Sequence, residues 1–282
     1  ILAGHLMCAA YELPISSEEE SLFGPSTEEL LTLLESERYV IRRQRWYWLD
    51  PDVYPAALIN IRSVSGAGYD IILRPPVGQE RLLGTIDDRA AFALVHPGAI
   101  YLHEGETYLV KELDLAQRRA VVVPTTADYY TQALSVSEVS VLDVETDLDA
   151  GDDLHWCFGT VQVTSQVVSY RKRRQVSEQD LGSEVLDLPP QRFKTQGFWV
   201  AIGAQELTLL LREACDLMGS LHALEHALIG ILPLFALCDR RDLGGVSHSC
   251  HPDVGRGALF VYDGYPGGVG ISLAAFERLG LV

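Results

Sequence analysis

The sequence predicts an α+β protein in three parts. Residues 1–55 form a winged-helix-like module, 56–146 a β-rich, barrel-like section, and 147–282 a mixed α/β domain with a long helix. Three observations lead there. Two helical runs near the N-terminus precede a short aromatic hairpin pattern. Six short β-rich runs separated by turn signals follow. A leucine stripe with spacings of three and four then occupies the last third. With 282 residues, 48% of them hydrophobic, the chain is long enough for two or three domains, each with its own core.

The first helix covers residues 1–13 and stops at Pro14, and 16–24 reads as an acidic loop. Ser26 is placed as an N-cap, with Glu29 at capping-box spacing, for a helix over 28–36. Residues 39–49 then form a hairpin wing carrying Arg42, Arg43, Arg45 and Trp46. The β-rich runs are 58–61, 69–73, 82–86, 99–102, 107–113 and 120–123. They are broken by Ser65-Gly66-Ala67-Gly68, His96-Pro97-Gly98 and a hairpin turn at 103–106. Their spacing suggests a small barrel or sandwich. Residues 147–153 read as an acidic linker and a domain boundary, 160–170 as a strand, and 186–198 as irregular.

The long helix is placed at 206–232. Its apolar face is Leu207, Leu210, Ala214, Leu217, Leu221, Leu224, Leu228 and Ile231, with Gly219 and Pro233 as places to bend or end. A strand over 258–262 enters Asp263-Gly264-Tyr265-Pro266-Gly267-Gly268, and a last helix begins near Val269.

Charge and cysteine content narrow the function. The formal net charge is −17, which taken alone argues against a nucleic-acid partner. The cations are concentrated, however. No Lys or Arg occurs from Ala120 to Tyr170, 138–153 is an acidic run, and Arg171-Lys172-Arg173-Arg174 follows directly. Arg42, Arg43 and Arg45 make a second cluster beside Trp46-Tyr47-Trp48. Cations interleaved with aromatic rings suit single-stranded nucleic acid, although Trp46 and Trp48 suit a hairpin core equally well.

The five cysteines are odd in number, widely spaced and without a C-x-x-C pair. They fit a reducing cytoplasm rather than a disulfide framework or a zinc knuckle. No signal-peptide pattern is present, and no uninterrupted run approaches the roughly 20 apolar residues of a membrane span. Ile1 falls in what reads as mid-helix, so the chain is expected to be a segment of a longer protein.

Three further patterns bear on chemistry. His222-Ala223-Leu224-Glu225-His226 fits H-x-x-E-H, in which two histidines four apart share a zinc and the Glu is a general base. No third ligand is defined, and the pattern also fits an ordinary helix rich in His and Glu. Cys238, His248, Cys250 and His251 match no zinc template. The Gly264–Gly270 turn can hold a phosphate on its amides, or simply join a strand to a helix; it is not a P-loop. No nucleophile elbow supports Ser-His-Asp catalysis.

Six segments carry a family resemblance: His5-Leu-Met-Cys-Ala-Ala-Tyr-Glu-Leu-Pro, His96-Pro-Gly-Ala-Ile-Tyr, Val168-Ser-Tyr-Arg-Lys-Arg, the run from His222 to Leu234, Cys238-Asp-Arg-Arg-Asp-Leu-Gly-Gly, and Phe260-Val-Tyr-Asp-Gly-Tyr-Pro-Gly-Gly-Val-Gly. In order and spacing they resemble the C-terminal region of the MrfA/YprA-type DEAD/DEAH-box helicases. The resemblance implies a superfamily 2, ATP-driven, 3′-to-5′ DNA-repair helicase, with a winged helix and an MrfA zinc-binding-type domain following two RecA-like motor domains.

The chain itself has no Walker A or DEAD/DEAH motif. ATP and Mg are therefore expected in the motor domains, and no catalytic residue in this chain. The family's four zinc cysteines are not matched, so no zinc is expected here. The expected partners are single-stranded DNA or a duplex junction, and the motor domains of the same polypeptide, with no membrane. Arg42, Arg43, Arg45, Arg171, Lys172, Arg173 and Arg174 would hold phosphates, and Trp46 would stack on a base or part the duplex. Two other classes stay open: a zinc-dependent hydrolase using His222, Glu225 and His226, and an acidic scaffold docking a basic partner through 138–153.

Overall fold

The computed structural model describes residues 2–57, 59, 68–151, 154–213 and 215–278. The chain divides into two compact units, 1–66 and 67–282. The strand expected at 58–61 lies outside the described residues except for Ile59, and so does most of the turn at 65–68.

The first unit contains α1 (Leu2–Glu12), α2 (Glu20–Phe23), α3 (Thr27–Ser36) and the hairpin β1 (Val40–Arg42) and β2 (Trp46–Trp48). The stretch expected as an acidic loop is instead a 3-10 turn (Ser17–Glu19) running into α2. The expected cap also differs. Ser26 makes no side-chain cap, and Thr27 Oγ1 donates to the Gly24 carbonyl at 2.6 Å. A Glu three residues on does receive a backbone N–H, but at Ser16, whose amide donates to Glu19 Oε2 at 2.6 Å. Leu6, Ala10, Ile15, Leu31, Leu34, Val40 and Trp46 form the core. Ile15 bonds the wing through both backbone groups, its amide to Trp46 O at 3.0 Å and its carbonyl from Trp46 N at 2.8 Å.

In the second unit, the runs expected after residue 68 are strands, but they do not close a barrel. They form β3 (Gly68–Leu73), β4 (Arg81–Asp87), β5 (Ile100–His103), β6 (Glu106–Asp114) and β7 (Arg119–Pro124) in the order β4-β3-β7-β6-β5, an open path whose end strands do not pair with each other. β3 and β7 are parallel and the other pairs antiparallel. A helix the sequence reading missed, α4 (Asp88–Leu94), is capped by Asp87, which accepts from Arg89 N at 2.9 Å. Its Ala91 and Phe92 join Ile71, Val110 and Val122 in the core.

The largest departure follows. Residues 147–153 are not a linker. Residues 147–149 end β8 (Tyr129–Asp149), which pairs antiparallel with β9 (His155–Arg174), and the chain divides at 66/67 instead; residues 152 and 153 lie outside the described residues. On its other edge β9 pairs with β10 (Asp180–Val185) and β11 (Gln191–Ala201). β13 (Ala258–Asp263) and β12 (Leu243–His248) complete the six-stranded sheet. Most of the stretch expected to be irregular is β11.

The long helix is also interrupted. It consists of α5 (Ala204–Arg212), α6 (Leu217–Ile231) and α7 (Pro233–Ala236). Asp216 starts α6 by accepting from Gly219 N at 2.9 Å, and any Cβ on Gly219 would sit 2.6 Å from that carboxylate. Pro233 begins α7, where its missing N–H costs little. The buried face of α6 is Leu221, Glu225, Leu228 and Ile229 rather than the full predicted stripe, since Leu224 and Ile231 are exposed. The stretch Leu217–Ala236 is long and apolar enough to cross a membrane by length and composition, yet Leu228, Ile229 and Leu232 pack with Phe198 and Leu259 of the sheet.

The glycine turn after β13 is closed from within. Asp263 is fully buried and accepts from Val269 N (2.6 Å), Gly270 N (2.8 Å) and Ser272 N (2.7 Å), at the start of α8 (Ile271–Phe276). Those three amides are occupied by a carboxylate of the protein, so the turn is not a phosphate cradle. Asp263→Ala should leave all three donors without a partner. At about 1 kcal/mol or more each, a loss of at least roughly 3 kcal/mol is expected for the second unit, read by urea unfolding. An unchanged midpoint would rule this account out.

Candidate nucleic-acid interface

The wing carries its cations at the end of β1 and in the turn before β2. Arg42 opposes Trp46 across the hairpin, and Arg43 N bonds Arg45 O at 2.9 Å to close the tip. Arg42 is tied down: its backbone N–H donates to Glu35, its guanidinium is 3.3 Å from Glu28, and it lies 5.0 Å over the Trp46 ring. Arg43 and Arg45 are exposed and have no carboxylate partner among the described residues. Trp46 is only 2% exposed and belongs to the core, so the expected base-stacking role does not fit this arrangement. Trp46 faces the core with Arg42 covering its ring, while Arg43 and Arg45 stand in the turn between the strands, open to solvent.

The second cluster ends β9. In a strand successive side chains point to opposite faces, so Arg171 and Arg173 share one face and Lys172 and Arg174 the other. Four consecutive cations therefore do not form one patch. Three are matched by nearby acids: Lys172 with Glu184 at 2.5 Å, Arg173 with Glu178 at 3.5 Å, and Arg174 with Asp128 at 3.1 Å. None of these acids belongs to the 138–153 run. Arg171 is exposed without a carboxylate partner among the described residues. The pairs are at least partly open to solvent, where an ion pair is individually weak, so a phosphate can compete for them.

Two cations escaped the sequence reading. Arg192 and Lys194 are exposed on one face of β11, in register with Thr164 and Gln162 of β9. Neither has a carboxylate partner among the described residues. Their signal was the alternation Arg-Phe-Lys, which is easily overlooked beside a contiguous cluster.

The H-x-x-E-H trio gathers on α6. His222 Nε2 and His226 Nε2 are 3.1 Å apart, and Glu225 Oε2 is 3.3 Å from His222 Nδ1. Glu225 is 5% exposed and turned toward the sheet, on the side of His222 away from the paired Nε2 atoms. A general base must face the water it activates, so this orientation does not suit the hydrolase reading. The Cys238, His248, Cys250 and His251 group does not gather. His251 is buried, with Nε2 2.9 Å from Val139 O and Nδ1 3.3 Å from Asp253 N.

Comparison with known proteins agrees in both units. Residues 1–64 match the winged helix domain of the ATP-dependent helicase HRQ1, and 224–282 the MrfA Zn-binding domain. The ATP-dependent helicase YprA of Bacillus subtilis is 32% identical across 99% of the chain. The crystal structure of the DUF1998 helicase MrfA bound to DNA matches 99% of the chain with 30% identity and a TM-score of 0.57.

Over almost its whole length the chain is similar to part of the MrfA/YprA-type helicases.

It corresponds to the C-terminal part of such a helicase and spans 36% of YprA and 37% of that MrfA chain. The ATP-dependent helicase hrq1 of Schizosaccharomyces pombe is more distant, at 25% identity over 83% of the chain and 22% of its own length. The MrfA domain name implies zinc, but the cysteines described here do not fit a zinc site. Cys157 is buried, its thiol pushed up to about 12 by burial and by Asp147. Burial likewise raises Cys238, and Cys215 and Cys250 are exposed. Among the described residues no cysteine joins a metal-ligating group.

Two measurements check this picture of the MrfA-type interface. Trp46→Ala should destabilise the first unit by about 3–5 kcal/mol, whereas Arg45→Glu should change it by less than about 0.5 kcal/mol; thermal melts would compare them. Glu184 is held below the usual carboxylate range by its hydrogen bonds from Lys172 and Tyr170. A depressed folded-state pKa contributes stability above the ordinary carboxylate value and loses it as pH falls through the depressed one. Lys172→Met should raise the Glu184 pKa toward its ordinary value in an NMR titration.

Proposed function

We propose that this chain is the DNA-guiding, non-ATPase part of a superfamily 2 DNA-repair helicase, holding single-stranded DNA while motor domains elsewhere in the polypeptide translocate 3′-to-5′. The observation that carries this reading is the wing tip, where Arg43 and Arg45 stand exposed and unmatched by carboxylates among the described residues, on a module of the helicase winged-helix type. The DNA-bound state of the related MrfA supports it. In an acidic protein, unmatched cations at a few points give an anionic strand defined landing places, while the remaining surface repels it.

Phosphate contacts predict strong salt dependence and little sequence preference. In the second unit Arg171, Arg192 and Lys194 are the candidates unmatched by carboxylates among the described residues. Lys172, Arg173 and Arg174 would first have to exchange their carboxylates.

Fluorescence anisotropy of labelled single-stranded DNA across salt concentrations tests this. Each lost phosphate contact lowers the log–log salt slope by about 0.7 for a single strand, so Arg43→Glu/Arg45→Glu should lower it by about 1.4 or more. Arg174→Glu should have less effect than Arg171→Glu. Absence of salt-sensitive binding at low salt would overturn the reading and favour the acidic scaffold, whose exposed Glu138, Asp143, Glu145, Asp147 and Asp149 line β8.

A further inference from the structure

We propose that His222 and His226 chelate a divalent transition-metal cation on the outer face of α6, with Glu225 as the positioning carboxylate behind His222. The site is independent of DNA binding and uses none of the chain's cysteines.

The geometry comes from the helix. Residues four apart lie one above the other on a helical surface, and the two rings meet with centroids 4.4 Å apart and their Nε2 atoms 3.1 Å apart. A tetrahedral metal with N bonds of about 2.0–2.1 Å spans two nitrogens roughly 3.4 Å apart, so closing on a cation requires an adjustment of only a few tenths of an ångström. His222 and His226 are both exposed, so the cation can enter from solvent.

Glu225 supplies the support a metal-binding histidine needs. Its Oε2 is 3.3 Å from His222 Nδ1, which places the imidazole proton there and leaves the Nε2 lone pair outward. The carboxylate is 5% exposed and lies against Gly245 of β12. A Cβ on Gly245 would come within 2.8 Å of Glu225 Oε1 and 2.6 Å of Ile229 Cδ1, so a glycine is what leaves room for the acid. A carboxylate removed from water calls for nearby positive charge, and a cation on the far side of the His222 ring provides it. Two imidazoles select Zn, Cu, Ni or Co over Mg or Ca, with water or an incoming ligand in the remaining positions.

Arg240 competes with the cation. Its Nη2 is 3.3 Å from His226 Nδ1, a contact that requires the lone pair on Nδ1 and the proton on Nε2. Metal binding transfers that proton to Nδ1 without net release and displaces the guanidinium. Removing Arg240 should therefore tighten the site, an effect no purely structural role of the histidines predicts.

The test is titration of the metal-free, reduced chain with Zn(II) by calorimetry and with Co(II) by absorbance. The expected result is one cation per chain, a Co(II) spectrum without thiolate charge-transfer bands, loss of binding in His222→Ala and His226→Ala, about tenfold weakening in Glu225→Gln, and severalfold tightening in Arg240→Ala. Circular dichroism would verify that each variant is folded. Lack of saturable binding at submillimolar cation, binding that survives both histidine substitutions, or thiolate bands would each overturn the proposal. No DNA is present in this titration, so its outcome is separate from that of the DNA-binding reading.

Discussion

The second unit depends on one strand. β9 pairs along one edge with β8 and along the other with β11 and then β10, so both rows of its backbone hydrogen-bonding groups are engaged along most of its 20 residues. Its side chains enter three cores: Phe158 beneath α6 and α8, Cys157, Val161 and Val163 against Trp199 and Phe260, and Val167 against the five-stranded sheet. Gly159 faces Gly197 across the β9–β11 ladder, and β8 bulges on either side of its partner in the β8–β9 ladder. A Cβ on Gly159 would collide with the Asp143 carbonyl. The glycine therefore allows β8 to cross closely, and the bulges add the twist that a strand of this length requires.

The same alternation sorts the charge. β8 forms an edge, and its outward positions carry Glu138, Asp143, Glu145, Asp147 and Asp149, charges that discourage edge-to-edge pairing. Part of that edge is also covered: His251 bonds the Val139 carbonyl and Asp253 accepts from Val141 N at 2.9 Å. The acidic run thus serves the edge it lies on, and the β9 cations find their acids at Asp128, Glu178 and Glu184. A net charge of −17 and a few unmatched arginines are compatible because the two occupy different places.

Much of this was legible locally. Turn chemistry at His96-Pro97-Gly98 and Glu104-Gly105, and β-branched runs, located five strands; the wing followed from Val40-Ile41 and the aromatic run after Arg45. What failed was non-local. Residues 147–153 read as a linker because acidic residues outnumber apolar ones there, yet just upstream Val139 and Val141 show the period of the half-buried strand that runs on to Asp149. Open sheet and closed barrel share the same strand spacings, so only pairing partners distinguish them. The leucine stripe was extended through Asp216, a capping residue that signals a new helix. At the candidate interface, contiguity was mistaken for clustering: the sequence shows Arg171 to Arg174 side by side, whereas the strand divides them between two faces. Arg192 and Lys194, two positions apart in the sequence, share a face.

Two buried acids show how context separates structural from chemical roles. Asp263 is satisfied by three backbone amides and needs nothing more. Glu225 sits in an apolar helix, where a leucine of similar length would gain roughly 2 kcal/mol of burial. Its hydrogen-bond partner is His222, and Gly245 leaves a space opposite that the acid fills. A buried carboxylate with one imidazole partner is an expensive way to fill that space. The cost is offset when a cation sits on the exposed nitrogen of that imidazole. Because His226 brings its own Nε2 to 3.1 Å from that of His222, one cation can be shared between the two rings.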